Sequence, residues 1–268
     1  MVATEADVSV APTRLALATG RCSQCQCVAL PDRSSYRRPA VVSFNRHNVW
    51  FRMSSYRVRY QTLEFGDVDV HLRTLRDRQE FSDDEQVAED LGISSAAWPL
   101  FGVVWESGEV LARLMFVHEI AGLRILEVGC GIGLASLVLS QRLANITATD
   151  HHPEAEAFLA ENVELNKLNE IPFVRMGWHE EQTLLGKFDL IIGSDVLYER
   201  SHVDLLSSFI DRHASATCEV ILVDPGRGHQ APFTRRMQSL GYEQSAEMAA
   251  LQHPAETFHG RVLCYCRP

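Results

Sequence analysis

The chain has 268 residues, 46% hydrophobic and 22% charged, enough for one well-buried catalytic domain with an appendage and short for two. A formal net charge of −10 argues against a surface that follows a phosphate backbone, so no nucleic-acid partner is expected. No apolar run approaches the ~20 residues of a membrane span, and seven cysteines, an odd number, suit a reducing compartment, so a cytoplasmic protein is expected.

Residues 1–52 are rich in Ser, Arg, Pro and small residues and hold no sustained helical or strand period. No long apolar core follows positive charges there, as a secretory signal requires. The segment is expected to be disordered, or to precede a true start at Met53. Cys22, Cys25 and Cys27, with His47, resemble half a zinc site. Cys27 is one residue too near and no second Cys-x-x-Cys follows, so no metal is expected.

A hairpin pattern comes next, with Val58, Tyr60, Phe65, Val68, Val70 and Leu72 as inward positions and Gly66-Asp67 as the turn. The acidic stretch 81–91 reads as a surface connection or a short helix. Trp98 to Gly108 is an apolar, aromatic approach to a helix whose Val110, Leu111, Leu114 and Met115 share one face. From Arg124 onward, strands alternate with helices. Strands are predicted at 124–128, 146–150, 173–175, 188–193 and 219–223, and helices at 134–143, 154–167 and 202–213. In 154–167 the buried face carries Ala155, Phe158, Leu159 and Val163, with acids in the first turn and Lys167 near the end, as the helix dipole favours. The segments 242–248 and 261–266 read as an antiparallel pair. Such β-α repetition predicts a doubly wound α/β sheet, mainly parallel, whose ligands bind beyond the C-terminal strand ends. The expected division is a hairpin and connection over 53–97 and a catalytic core over 98–268, within a single domain.

The run Glu127-Val128-Gly129-Cys130-Gly131-Ile132-Gly133 lies where a strand ends and a helix begins. Its glycines allow a sharp turn and a close backbone approach to a ligand, and the helix start offers unpaired N–H donors. In a dinucleotide fingerprint counted from Gly129 the third small residue falls on Leu134, which is too large for close helix–strand packing, and no Gly-Lys-Ser/Thr of a phosphate loop follows. Asp150 ends the next strand, where a ribose diol would lie. A nucleotide cofactor with a ribose and no pyrophosphate fits this pattern.

At these residues the chain resembles the class I, seven-stranded S-adenosylmethionine-dependent methyltransferases, over roughly Trp98 to the C-terminus. It is most similar to their family 16, rich in protein-lysine methyltransferases. Trp98-Pro99 and Trp105-Glu106-Ser107-Gly108 resemble that family's aromatic pre-core motif, and Glu127 to Gly133 its cofactor loop. Asp195-Val196-Leu197-Tyr198 resembles its D-x-x-Y signature. Asp224-Pro225-Gly226-Arg227 is similar to the D-P-G-R of the branch that modifies electron-transfer flavoprotein. The resemblance implies a Rossmann-like fold and S-adenosyl-L-methionine as cofactor. It implies that Glu127, Gly129, Gly131 and Gly133 surround the methionine part, that Asp150 binds the ribose and that Trp178 borders the adenine. Trp105 is a candidate to close over the methionine end, and Ser194 to contact the cofactor from the strand before Asp195. Gly177 departs from the family's Asp before Trp178, which leaves a side-chain bond to the adenine amino group open.

A lysine amine, mostly protonated at pH 7 with an ordinary pKa of about 10.4, must lose a proton and point a lone pair at the methyl carbon. Asp195 is the expected polar anchor for it, and Tyr198 its neighbour in packing or hydrogen bonding. The prolines of Asn/Asp-Pro-Pro-Tyr, common in enzymes acting on exocyclic base amines, are missing here, which lowers a nucleic-acid-base reading. His151, His152 and His179 are adenosine-pocket or surface-loop residues, Glu180-Glu181 a solvated loop, and Arg227 meets either an acidic substrate group or a strand end. The expectation is a protein-lysine N-methyltransferase with a protein partner and no membrane. Two alternatives stay open, a small-amine or heteroaromatic N-methyltransferase and a cofactor-binding but non-catalytic docking protein.

Overall fold

The computed structural model describes residues 56–95, 97–181, 183–245 and 258–267. The expectations for 1–52, including Cys22, Cys25, Cys27 and His47, and for the end of the 242–248 strand lie outside the described residues. Alternating β and α segments build a seven-stranded sheet from β3 (Arg124–Val128), β4 (Asn145–Asp150), β5 (Phe173–Arg175), β6 (Phe188–Ser194), β7 (Ala214–Asp224), β8 (Glu243–Gln244) and β9 (Arg261–Arg267). Their order is β5-β4-β3-β6-β7-β9-β8. The first five pair in parallel, while β9 is antiparallel to both β7 and β8. Strand order reverses between β3 and β6, which opens a crevice at their C-terminal ends.

Alternate residues of the central strands feed two cores. Ile125, Leu190, Ile192, Ile221 and Val223 face one side, with α2 (Glu106–Val117), α3 (Leu134–Gln141) and α4 (Ala155–Leu165). Leu126, Val128, Ile191, Val220 and Leu222 face the other, with α5 (His202–His213) and α6 (Gln230–Ser239). The period of two with both faces buried is what a helix-covered parallel sheet requires. The predicted apolar face of α2 is buried at Val110, Leu111, Leu114 and Met115, and that of α4 at Ala155, Phe158, Leu159 and Val163.

The hairpin β1 (Val58–Phe65) and β2 (Val68–Leu75) turns at Gly66, which adopts φ +63. Phe65, Val70 and Leu72 are buried as expected, but Tyr60 is 68% exposed. It stands on the solvent face with exposed Thr62 and Glu64, and the inward residues toward the turn are half-buried Gln61 and Leu63 and buried Phe65. The outer edge of β2 would leave backbone groups unpaired. Asn162 and Asn166, one turn apart on α4 and just beyond it, satisfy them. Arg73 N–H donates to Asn162 Oδ1 (2.6 Å), His71 N–H to Asn166 Oδ1 (2.8 Å), and each amide returns a bond to the same residue's carbonyl. Asn162 also donates to the Ile132 carbonyl in the glycine loop (3.1 Å), which ties hairpin and loop together.

Several boundaries differ from expectation. The acidic stretch holds only a four-residue helix, α1 (Val87–Asp90), and its Phe81 is buried rather than superficial. Helices α3 and α4 stop at Gln141 and Leu165, two residues short of Leu143 and Lys167, both of which adopt positive φ. β7 begins at Ala214, five residues early. Helix α6 was unforeseen because only Phe233 and Met237 of its ten residues are buried, too few for an apolar period. Among the described residues no helix is long and apolar enough to cross a membrane. Cys130 and Cys218 are buried thiols.

Candidate active site

One cavity of ≈ 270 Å³ opens at the C-terminal ends of β3, β4 and β6, where the strand order reverses. Of the sequence-predicted residues it is lined by Trp105, Glu127, Gly129, Gly131, Asp150, Trp178, Ser194, Asp195 and Tyr198. Gly133 is not among the lining residues. It caps α3 at φ +80, and a Cβ there would overlap the Leu159 side chain, so its role is close packing of the loop on α4. Gly129 (φ +63) and Gly131 (φ +55) both hold backbone that side chains disfavour. A Cβ on Gly129 would press Val196, whereas one on Gly131 meets nothing within 4 Å and would project into open space.

The acids at this end are held by backbone amides. Asp150, the last residue of β4, accepts from Gly131 N–H through Oδ2 and from His152 N–H through Oδ1, each at 2.8 Å. Burial raises its pKa against those bonds. Glu127 Oε2 accepts from the Ser136 amide (2.9 Å) and from the Ser136 hydroxyl. Burial pushes Glu127 up to about 7, with the nearby Asp150 charge adding to the rise. His152 is not a surface histidine. Its ring stacks on Phe101 at 3.6 Å, and burial pushes it down to about 3.

The aromatic walls are fixed by their own contacts. Trp105 donates from Nε1 to the Leu100 carbonyl (2.8 Å), and Arg78 lies over its ring at 4.2 Å. Trp178 reaches within 4.0 Å of where a Gly129 Cβ would stand, and its ring meets His202 edge-on at 5.0 Å. Trp178 therefore spans from the glycine loop toward the Asp195 segment.

At that second end the chain is irregular. Asp195 adopts φ 53, and no helix forms over 196–199, so Tyr198 follows on an irregular loop. Asp195 N–H donates to the Val223 carbonyl (2.9 Å), which pins the turn to β7. Its carboxylate is not a free anchor. Arg227, from the loop after β7, donates Nε to Oδ1 (2.5 Å) and a terminal nitrogen to Oδ2 (2.7 Å). The open question on Arg227 thus has a third answer, a bidentate ion pair, and this bonding raises the guanidinium's pKa. Burial pushes the Tyr198 hydroxyl up to about 12.

His202 carried no functional expectation. Its ring packs edge-on to Tyr198 at 4.4 Å, and Nδ1 lies 3.0 Å from the Val196 carbonyl. Since a carbonyl only accepts, Nδ1 bears the proton. Burial lowers its pKa, keeping it neutral with Nε2 as an acceptor. No sequence period marks this histidine, the first residue of α5. Among the described residues no group of three or more His, Cys, Asp or Glu is arranged to hold a metal ion.

The chain is 29% identical over 138 residues to protein N-lysine methyltransferase METTL21A of Danio rerio, covering 48% of this chain and 63% of that protein. It is 29% identical over 148 residues to the electron transfer flavoprotein beta subunit lysine methyltransferase of Xenopus laevis, covering 53% and 59%. The match thus spans less than two thirds of these relatives' own lengths. Among solved structures, a 16S rRNA methyltransferase (RsmC) of T. thermophilus superposes with TM-score 0.53 at 13% identity, over 77% of this chain and 50% of that one. A ribosomal protein methylase of Lactobacillus delbrueckii subsp. bulgaricus gives 0.50 at 19%, over 62% and 81%. At such identities the likeness speaks for the fold alone, a Rossmann-like sheet of the methyltransferase type. The lysine methyltransferase family model matches residues 83–239, more than half of the 268, and the chain belongs to that family.

Proposed function

We propose that this chain is an S-adenosylmethionine-dependent enzyme that transfers a methyl group directly to a lysine side chain of a partner protein. The observation that carries the reading is one cavity with two chemically different ends. Buried carboxylates and side-chain-free backbone line the first, and Asp195 with Tyr198 the second. Family membership supports lysine as acceptor, and the buried thiols of Cys130 and Cys218 suit a cytoplasmic location.

Three observations support the fit of S-adenosylmethionine to the first end. The space at Gly131 is open to a ligand. The Asp150 oxygens, each engaged by one amide, keep a lone pair for a ribose diol. Glu127, near neutrality through burial, would ionise beside a bound cation and attract it. When bound, the cofactor would supply a methyl carbon on a positively charged sulfur, an electrophile for an amine lone pair with the neutral thioether as its leaving group.

The chain's own residues must bring a neutral amine to ~3 Å from that carbon. Arg227 occupies one side of each Asp195 oxygen and balances its charge, so Asp195 orients an amine N–H through a remaining lone pair instead of taking up its proton. Tyr198, neutral at physiological pH, flanks the amine's stem. His202, with Nδ1–H turned to Val196 and Nε2 3.7 Å from the Glu199 carboxylate, is placed to receive at Nε2 the proton that the ammonium must shed, with Glu199 beside the resulting imidazolium. Incubating cell extract with the protein and methyl-tritiated S-adenosylmethionine, then hydrolysing the protein fraction to amino acids, is expected to yield labelled methyl-lysine. Label confined to small molecules would overturn the protein-lysine reading.

A further inference from the structure

The position before Trp178 has no side chain, yet nothing in its backbone demands glycine, because Gly177 is not among the residues of positive φ. What excludes a side chain is occupancy. A Cβ on Gly177 would stand 2.5 Å from Cε1 and 2.7 Å from Nδ1 of His179, and 3.4 Å from Nδ1 of His151. Two imidazoles from different loops converge on the space that a residue-177 side chain would fill, their rings 6.0 Å apart at 87°. Both line the cavity, one residue beyond Asp150 in the case of His151.

The hydrogen bonding fixes what His151 offers. Its Nε2 lies 2.8 Å from the Leu91 carbonyl. A carbonyl cannot donate, so Nε2 carries a proton, and in the tautomer with that single proton Nδ1 is an acceptor. That acceptor is aimed at the Gly177 space. The turn beneath is held by Gly177 N–H donating to Glu180 Oε1 (2.6 Å) and Glu180 N–H donating to the Gly177 carbonyl (3.1 Å). Gly177 therefore has no free amide to offer a ligand.

We propose that His151 Nδ1, flanked by His179, accepts a hydrogen bond from the exocyclic amine of the cofactor's adenine, a contact that the missing side chain at position 177 cannot make. This rests on the cofactor reading above. It makes His151 a base-selecting residue, because replacing the amine by a carbonyl turns a donor into an acceptor facing an acceptor.

The test is calorimetry with S-adenosylhomocysteine and with S-inosylhomocysteine, whose base carries oxygen in place of the amine. The wild-type protein is expected to bind the adenine compound about tenfold more tightly. His151→Leu should weaken the adenine compound to the level of the inosine one and leave the latter unchanged within about twofold. Retained inosine-compound binding also reports that this variant is folded. Adding His179→Ala and Gly177→Asp to His151→Leu, which clears the space and supplies a carboxylate acceptor, should restore the preference. Equal wild-type affinities, a preference that survives His151→Leu, or an equal loss of both compounds in that variant would overturn the inference. Wild-type protein that binds neither compound would overturn the cofactor assignment itself, and this inference with it.

Discussion

The two ends of the cavity are built by opposite means. At the glycine loop, the polar groups are satisfied within the β3-α3-β4 unit and the turn after it: Glu127 by Ser136, Asp150 by Gly131 and His152. At the Asp195 loop, the decisive partner comes from 32 residues away, where Arg227 grips a carboxylate whose backbone sits in the left-handed region. The first end is preorganised by local geometry and the second by a long-range ion pair. Damage to the first should therefore abolish binding, and damage to the second should spare binding and slow transfer.

The largest expected effect is at Gly131. Valine there combines a disfavoured φ with a branched side chain in the ligand's space, so Gly131→Val should bind S-adenosylhomocysteine at least ~100-fold more weakly while remaining folded. Calorimetry with a parallel melting curve checks both halves. Asp150→Ala is a milder injury, removing charge-assisted bonds to the ribose and costing about 1–3 kcal/mol of affinity in the same titration.

Glu127 gives a pH-dependent contrast. Its pKa is about 7 folded and 4.5 as an ordinary carboxyl, so the folded protein keeps a proton that the unfolded chain releases between those values. The stability this contributes is full below about pH 4.5 and is lost as pH rises to about 7. Glu127→Gln resembles the protonated form. Without ligand, the variant should match the wild type near pH 4.5 and melt above it at pH 8, by an amount on the order of 1–3 kcal/mol. Equal melting differences at both values would mean that folding does not raise the Glu127 pKa. The smallest effect is expected on removing residues 1–52, for which melting temperature and S-adenosylhomocysteine affinity should stay as they are in the full chain. We propose this from the missing periodicity of that segment, and stoichiometric zinc bound through Cys22, Cys25 and Cys27 would contradict it.

The same contrast explains what was legible beforehand. The glycine loop, Asp150 and the β-α alternation are written in neighbouring residues and in periods of two and 3.6, so they could be read directly. Tyr60 misled because alternation in an edge hairpin names two faces without saying which is buried, and the arginines and the nearby helix α4 decide that in three dimensions. The family resemblance implied a ligand-binding role for Gly133, but its requirement for glycine comes from its left-handed backbone and from Leu159. The Asp195–Arg227 pair had a usable signal. β6 and β7 are parallel neighbours, so oppositely charged residues just past their two ends are brought side by side. The edge contacts of His202 with Trp178 and Tyr198 had none, since they arise only from how α5 packs.

The central claim is that the Asp195 end is the acceptor site of a lysine methyltransferase, and Asp195→Asn tests it most directly. Asparagine tolerates the left-handed backbone that alanine would strain and keeps one oxygen for Arg227, so the variant removes the charge and one of the two Arg227 bonds. Melting temperature, S-adenosylhomocysteine affinity and single-turnover formation of methyl-lysine would be measured on one preparation. The account expects the first two to stay near wild type and the third to fall by ~100-fold or more, because a misplaced nucleophile is costly. Methyl-lysine formation at the wild-type rate by this variant would contradict the account.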